Sequence, residues 1–429
     1  MYIKSIEIRN IRSIRHFDWA VNEEELAGWH VLIGDNGSGK STILKAISLA
    51  LVGEKDAQGL REDWSTWLTT KVESGSIRLN LVDDANADSF SGRGPLGERS
   101  SLKAIVEIKH TEDARQPIRL EGRADLSKPS TNRHIWGTGN GWFSVAYGPF
   151  RRFSGGNPDY NRLFYANPRL AAHLSIFGED VALSEAIVWL QELNYKSLEK
   201  QPEGKILDAV YKFVNQADFL PHHVKLTEVS SSGVFFEDAN GNVITVDNMS
   251  DGYRSILSMT FEIIRQLQAI YQTDDLFSSD FTQVKLPGVV LIDEIDAHLH
   301  PTWQRRIGYW FCQHFPAMQF IVTTHSPLVC QAAELGSVWK LSFPGTEESS
   351  YRVTGQELDR LLYGNILEAY STHLFELTDT RSHSARAKLN RLAELNVKET
   401  FAKLTAAEIE EQACLRAALP TAANTTSGG

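Results

Sequence analysis

The sequence predicts an α/β fold of the P-loop nucleotide-binding kind, on three observations. Gly34-Asp35-Asn36-Gly37-Ser38-Gly39-Lys40-Ser41 fits G-x-x-x-x-G-K-[ST], the phosphate-cradling loop. Gly288-Val289-Val290-Leu291-Ile292 is an apolar run that ends in two carboxylates, Asp293 and Glu294. Met318 to Thr323 is another such run, closed by Thr324 and His325. Buried strands of a parallel sheet read as unbroken apolar stretches, and ligands gather at their carboxyl ends.

In chain order, Tyr2 to Ile14 alternates apolar and polar residues as a half-buried strand does. Phe17, Trp19 and Val21 resume that period, so a hairpin is expected ahead of the apolar strand Trp29 to Ile33. The glycine loop follows, and Thr42 to Leu51 has apolar residues at helical spacing. Strand, loop and helix are the context the motif needs, and it predicts binding of a nucleoside triphosphate. Gly34, Gly37 and Gly39, with Asn36, Ser38 and Thr42, would let the backbone curl around phosphates at a helix N-terminus. Lys40 would reach the β- and γ-phosphates and Ser41 would ligate Mg²⁺.

Trp64 and Trp67 suggest a short packed helix. Ile77 to Val82, Ala104 to His110 and Ile118 to Leu120 read as strands of an antiparallel set, with a polar loop from Asp83 to Ser101. Trp142 to Arg152 is a strand running into Tyr147-Gly148-Pro149-Phe150-Arg151-Arg152, where Arg151 or Arg152 could meet phosphate or Mg²⁺-bound water, or could sit in a surface turn. Residues 153 to 175 interleave Phe153, Tyr160, Phe164 and Tyr165 with Arg162 and Arg169, a mix that suits base stacking, an oligomer surface or a packed loop. Leu183 to Leu193 and Lys205 to Phe219 have helical spacing without sustained heptads, so a compact helical insertion is expected and no long coiled coil.

Val224 to Leu226, Val234 to Phe236 and Val243 to Val246 read as strands, with Asn240-Gly241-Asn242 as a tight turn. Ser250-Asp251-Gly252-Tyr253-Arg254 then opens an amphipathic helix, and a serine and glycine there make an anion site. On the next strand Asp293 would hold Mg²⁺ through water and Glu294 would act as general base. His298 and His300 are spaced as metal ligands but have no partner His or Cys cluster nearby, so a structured turn is the reading that fits them better. Beyond Val338 to Leu341, the last expected core strand, Thr354 to Leu362 and Ser384 to Leu395 are helical in pattern, and Thr405-Ala406-Ala407-Glu408 is a capping box.

This order of motifs, with Ile8-x-Asn10-Ile11-Arg12-Ser13-Ile14 ahead of the P-loop, resembles the ABC-type ATPases that act on DNA, the RecF, SMC and OLD-like group. Within it the sequence is most similar to the ATPases of bacterial anti-phage defence, the Septu type. The resemblance implies an ABC-ATPase head, with a mixed central sheet, an antiparallel β subdomain and a helical insertion. It implies ATP and Mg²⁺ as ligands, and Asn10 and Arg12 as further nucleotide contacts. Arg151 takes the place of the glutamine that ABC ATPases carry at the Q-loop, a departure that leaves its sensor role resting on resemblance. Ser250, Gly252 and Arg254 match the ABC signature, and His325 matches the switch histidine that meets the γ-phosphate. A homodimer or larger oligomer is implied, pairing head-to-tail, with a separate HNH-type nuclease as partner. An OLD nuclease would continue into a Toprim domain with a glutamate strand and a D-x-D strand; residues 342 to 429 show neither, so no nuclease site is expected in this chain. A RecF-like repair ATPase acting directly on DNA, or on a retron-like nucleic acid, is the alternative; a transporter subunit would lack the long insertion.

The boundaries that follow are 1–152 for the first half of the core, 153–222 for the insertion, 223–345 for the second half and 346–429 for a C-terminal helical partner-binding region with a frayed tail. A chain of 429 residues accommodates this as one large domain with additions. Hydrophobic content of 42% and charged content of 23% are ordinary for a globular protein, and no apolar run approaches a membrane span. No signal peptide is recognisable, and Cys312, Cys330 and Cys414 stand far apart, so a reducing cytoplasm is expected without disulfide or zinc. A net charge of −11 excludes a wholesale nucleic-acid coat, so any such contact needs a local basic patch.

Overall fold

The computed structural model describes residues 1–60, 62–89, 102–111, 118–122, 135–136, 141–151, 167–178, 184–346, 348–370, 372–375 and 382–419. The chain divides into two compact units, Met1–Ala369 and Tyr370–Gly429.

The larger unit is built on a six-stranded sheet in the order β14-β13-β3-β12-β11-β7. These strands are β3 (Gly28–Ile33), β7 (Ser144–Tyr147), β11 (Gly288–Ile292), β12 (Met318–Thr323), β13 (Gly336–Lys340) and β14 (Tyr351–Arg352). Neighbours run parallel from β13 to β7, and only β14 is antiparallel. Every residue of β3, β7, β11 and β12 is buried, which is why each reads as a continuous apolar run. The sequence placed the last core strand at Val338 to Leu341; β14 adds one more, tied down where Arg352 pairs with Glu25 at 2.5 Å.

A second, antiparallel sheet has the order β2-β1-β4-β5-β6, from β1 (Tyr2–Ile11), β2 (Ile14–Ala20), β4 (Ser74–Val82), β5 (Leu102–His110) and β6 (Ile118–Gly122). The helix after the P-loop, α1 (Lys40–Val52), lies between the two sheets, and nearly every residue from Ile43 to Val52 is buried. A helix apolar all round belongs in a core. Ile3, Ile8, Ile47, Leu51, Leu79 and Val106 share that core with Leu291 and Ile321 of the parallel sheet. The two sheets are also stitched directly. The Gln319 side chain, fully buried on β12, accepts from the Ile3 backbone N–H at 2.7 Å and donates to its carbonyl at 2.8 Å. The short helix expected at Trp64 and Trp67 is a single 3-10 turn, Trp64–Thr66.

The described part of the insertion holds α2 (Pro168–Leu174), α3 (Glu185–Leu198) and α4 (Lys205–Val214). The aromatic and arginine positions Phe153, Tyr160, Arg162, Phe164 and Tyr165 lie outside the described residues, as does Arg152. Arg169 is described and is buried against the Trp142 ring at 4.0 Å. A three-stranded sheet, β10-β9-β8, follows from β8 (Lys225–Ser230), β9 (Gly233–Glu237) and β10 (Val243–Thr245). Then come α5 (Asp251–Tyr271), α6 (Pro301–His314) and α7 (Gly355–Tyr363).

The smaller unit contains α8 (His383–Phe401) and α9 (Ala406–Ala418), the latter opened by a Thr405–Glu408 capping box with both reciprocal bonds. Ion pairs link these helices: Arg391 to Glu411 at 2.9 Å and Lys398 to Glu408 at 2.6 Å. Leu392 and Leu395 are buried, whereas Phe401 and Ile409 are 86% and 55% exposed.

Candidate nucleotide site

β3, β12 and β11 run side by side in one direction, with Val31 level with Val322 and Val322 level with Ile292. Their carboxyl ends therefore open onto one edge of the sheet, where the P-loop, the 324–326 turn and the Asp293–Glu294 pair all begin. This is the edge at which parallel sheets bind ligands.

The loop from Gly34 to Gly39 turns through positive φ at Gly37 (86°) and Gly39 (96°). At Gly39 a Cβ would stand 3.0 Å from Ile14 Cγ1, so the β1–β2 turn closes one side of the loop and leaves no room for a side chain. The Lys40 ammonium folds back onto the carbonyls of Gly34 (2.8 Å) and Asp35 (3.0 Å). Burial pulls its pKa below the ordinary lysine range, while the charges of Asp293, Glu294, Asp35 and Asp296 push it upward. Ser38 Oγ is buried without a hydrogen-bond partner. Buried hydroxyls are normally satisfied, and one orphaned inside a glycine loop at a helix N-terminus fits a phosphate oxygen. Ser41 and Thr42 follow on the first turn of α1, half-buried. Asn36 is exposed at the loop's crest. A cavity of about 260 Å³ adjoins the loop, lined by Ser13, Ile14, Ser38, Ile43 and Leu341 among others.

Beyond β11, Asp293 is buried and its Oδ1 accepts from Thr323 Oγ1 at 2.6 Å. Glu294 is half-buried and left-handed, with φ 47°. Its N–H donates to the same Thr323 hydroxyl at 2.7 Å. One residue further along β12, Thr324 Oγ1 donates to Asp296 Oδ1 at 2.5 Å and accepts from the Ser326 N–H at 3.0 Å. His325 follows directly after these two threonines and is exposed. His300 caps α6 through its bond with Thr302, and His298 is exposed on the preceding turn.

Three further sets of expected contacts have the following partners within the protein. The Arg151 guanidinium, 5% exposed, is held by protein atoms: Nε donates to Ser255 Oγ (2.8 Å), Nη1 to the carbonyls of Gly148 (3.0 Å) and Asp293 (2.8 Å), and Nη2 to that of Glu294 (3.1 Å). Burial brings its pKa down to about 10, so it stays charged at neutral pH. It clamps the carboxylate turn through the carbonyls of Asp293 and Glu294. Arg12 pairs with Glu62 at 2.8 Å and lies 4.7 Å over the Trp67 ring, and Asn10 donates to the Ser74 carbonyl at 3.2 Å. What this hairpin brings to the P-loop is Ser13 and Ile14.

The signature stretch stands apart. Ser250 caps α5 in extended conformation without a side-chain bond and is exposed. Arg254 pairs with Asp251 and reaches the Asp247 carbonyl at 3.3 Å, leaving Nε buried without a partner. Among the described residues, no hydrogen bond or ion pair joins Ser250, Gly252 or Arg254 to the P-loop.

A family model described as "AAA domain, putative AbiEii toxin, Type IV TA system" matches residues 30–331. The chain belongs to this AAA-domain family. It is 27% identical over 389 residues to the Septu protein PtuA of Bacillus mycoides (strain KBAB4), covering 88% of this chain and 45% of that protein. It is 34% identical over 152 residues to the "Retron Ec83 probable ATPase" of Escherichia coli, covering 35% of this chain and 26% of that one. The chain thus spans less than half the length of these two relatives. Among solved structures, the SmcHead bound to the C-winged helix domain of ScpA aligns at 16% identity with a TM-score of 0.49, over 82% of this chain and 98% of that one. The resemblance to ABC-type ATPases of the Septu kind, drawn from the motif order, is borne out. No helix among the described residues is long and apolar enough to cross a membrane.

Thr323 and Thr324 went unremarked in the sequence although they belong to the site's framework. Two threonines at the end of an apolar strand read as ordinary strand formers. Their spacing from the carboxylates is set by the pairing of β11 with β12, which joins residues about thirty positions apart. The one signal was adjacency to His325.

Proposed function

We propose that this chain binds and hydrolyses ATP as a pair of copies joined head-to-tail, and that the pair governs a separate HNH-type nuclease in anti-phage defence. One observation carries the pairing. Lys40, Ser38, Asp293, Glu294 and His325 converge on one sheet edge, while Ser250 and Asp251 are exposed and, among the described residues, Ser250, Gly252 and Arg254 make no bond to the P-loop. A signature helix N-terminus is an anion site in search of an anion, and the γ-phosphate held by a second copy's P-loop supplies one.

In this reading the N–H groups of Gly34 to Thr42 and the Ser38 hydroxyl cradle the β- and γ-phosphates, and Lys40 exchanges its two carbonyl partners for phosphate oxygens. Ser41 and Asp293 would hold Mg²⁺, which neutralises charge developing on the phosphates. Among the described residues no group of three or more His, Cys, Asp or Glu forms a metal site, so the ion would depend on the nucleotide for its remaining ligands. Glu294 takes the proton of the attacking water and His325 donates a hydrogen bond to the γ-phosphate. Similarity to Septu and retron proteins supports a defence role. The nuclease would dock on the C-terminal helices, where Phe401 and Ile409 are exposed.

Mixing variants tests the pairing. Lys40→Ala and Ser250→Arg copies should each be inactive alone, and together should recover turnover, because a mixed pair keeps one intact composite site. Full turnover by Ser250→Arg alone would overturn the head-to-tail reading. For the dock, a chain ending before Ser384 should retain turnover and lose the co-expressed nuclease; retention of the nuclease would overturn it.

A further inference from the structure

Glu294 is the residue on which hydrolysis turns in the reading above, and its backbone is left-handed, a conformation that a glutamate adopts only under constraint. The constraint is visible. Its N–H is taken by a side chain, Thr323 Oγ1, at 2.7 Å. Its carbonyl is taken by the Ala297 N–H at 2.9 Å and by a second side chain, Arg151 Nη2, at 3.1 Å. We propose that Arg151 and Thr323 are positioning residues for hydrolysis, a bracket that holds the Glu294 peptide left-handed and so aims its carboxylate.

The two arms come from different strands and each has a second anchor. Thr323 Oγ1 itself donates a hydrogen bond to Asp293 Oδ1, so one hydroxyl contacts both members of the carboxylate pair. Arg151, beyond the end of β7, also holds the Asp293 carbonyl and, through Nε, Ser255 on the second turn of the signature helix. Both side chains are buried: Thr323 is fully inaccessible and Arg151 is 5% exposed. Neither needs to touch substrate. If the bracket is lost, Glu294 can relax toward negative φ, which swings its carboxylate off the line of the attacking water, while the P-loop is untouched. A displacement near 1 Å at a reacting group costs on the order of 10²-fold in rate.

This inference rests on Glu294 acting as the base, and the experiment keeps the two apart. ATP turnover and binding of a fluorescent ATP analogue are measured on the full chain for Thr323→Val, Thr323→Ser, Arg151→Lys, Glu294→Gln and the Thr323→Val/Glu294→Gln pair. Thr323→Val is nearly isosteric and removes only the hydroxyl; Arg151→Lys keeps the charge and removes the fork. Both should lower kcat by roughly 10- to 100-fold, with nucleotide affinity changed less than about twofold on the scale of a lost substrate contact. Thr323→Ser should restore kcat. Added to Glu294→Gln, Thr323→Val should cost little more, because the two act through one carboxylate. Wild-type kcat in Thr323→Val, failure of Ser to rescue, or a double variant that falls by the product of the singles would overturn the bracket. Wild-type turnover in Glu294→Gln would overturn the role of Glu294 itself, and the bracket with it.

Discussion

Two helix N-termini in this molecule are equipped for anions, and they are built in opposite ways. At Lys40 the helix starts inside the protein, between two sheets, and its ammonium feels the charges of Asp293, Glu294 and Asp296 beyond β11 and of Asp35 in the loop itself. At Ser250 the helix starts at the surface, with an uncommitted serine hydroxyl and an arginine paired to its own turn. The first gathers a lysine, a buried unpartnered hydroxyl and carboxylates; among the described residues, Ser250, Gly252 and Arg254 of the second make no hydrogen bond or ion pair to the first. In the proposed head-to-tail pair, binding would belong to the buried end, and reaction would wait for the exposed end of a second copy.

The largest effect that follows separates chemistry from binding at the buried end. Glu294→Gln should lower ATP turnover by 10²- to 10⁴-fold, the usual contribution of a general base, while nucleotide is still bound. Single-turnover kinetics with a parallel binding titration check this, and turnover within about twofold of wild type would break the division of labour. Next in size, Lys40→Ala should weaken ATP binding by about 1.5–3 kcal/mol, the worth of a charge-assisted hydrogen bond, read by calorimetry. Ser250→Arg at the exposed end should leave that affinity unchanged, so equal losses in both would erase the contrast.

Smaller effects sharpen it. Ser38 Oγ has no partner in the protein, so Ser38→Ala should not lower the melting temperature, yet should weaken ATP binding by about 1 kcal/mol, one neutral hydrogen bond. A fall in Tm without any change in affinity would show that the hydroxyl serves the fold. Smallest is a pH effect confined to the interior. His173 bridges Ser48 of α1 and Ser144 of β7 at 3.1 and 2.9 Å, and burial pulls its pKa down to about 3; burial likewise holds His30 at about 4. Both stay neutral when folded and take up a proton near pH 6.5 when unfolded. The unfolded chain then binds more protons, so stability falls as pH drops below about 6.5 and reaches its full loss only below the folded values. Thermal melts from pH 7.5 to 5 should show Tm falling on the acid side, with a shallower slope in His173→Gln and an unchanged slope in Ser250→Arg.

Much of this arrangement was legible in the sequence because the parts carry local signatures. The P-loop, the apolar strands ending in Asp293–Glu294 and His325, and the hairpin at Asn240-Gly241 each declare themselves within about ten residues. What was hidden depends on pairing across long separations. Nothing local says that Thr323 bonds Asp293, that Arg151 holds the Asp293 carbonyl, or that Glu62 captures Arg12. An arginine near a catalytic motif reads as a ligand contact from sequence alone, because the strand order that sets its protein partners is not in the motif. The apolar positions of the C-terminal helices also divide: Leu392 and Leu395 are buried, Leu389, Leu404 and Leu415 half-buried, and Phe401 and Ile409 exposed. Periodicity marks a helix's faces without saying which of them is covered.

The Gln319 amide that grips the backbone of Ile3 has a consequence for how the protein is made. The two residues lie 316 positions apart, and both backbone groups of Ile3 are claimed by that one side chain. At a synthesis rate of roughly 5–20 residues per second, on the order of 15 to 60 seconds separate the emergence of the first strand from that of its partner. Over that interval β1, β2, β4 and β5 can pair with one another and pack on α1, which lies on the face they turn toward the parallel sheet. What waits for β12 is the clasp of Gln319 on Ile3 and the far side of that core, so the last strands close a seam that the first strands open.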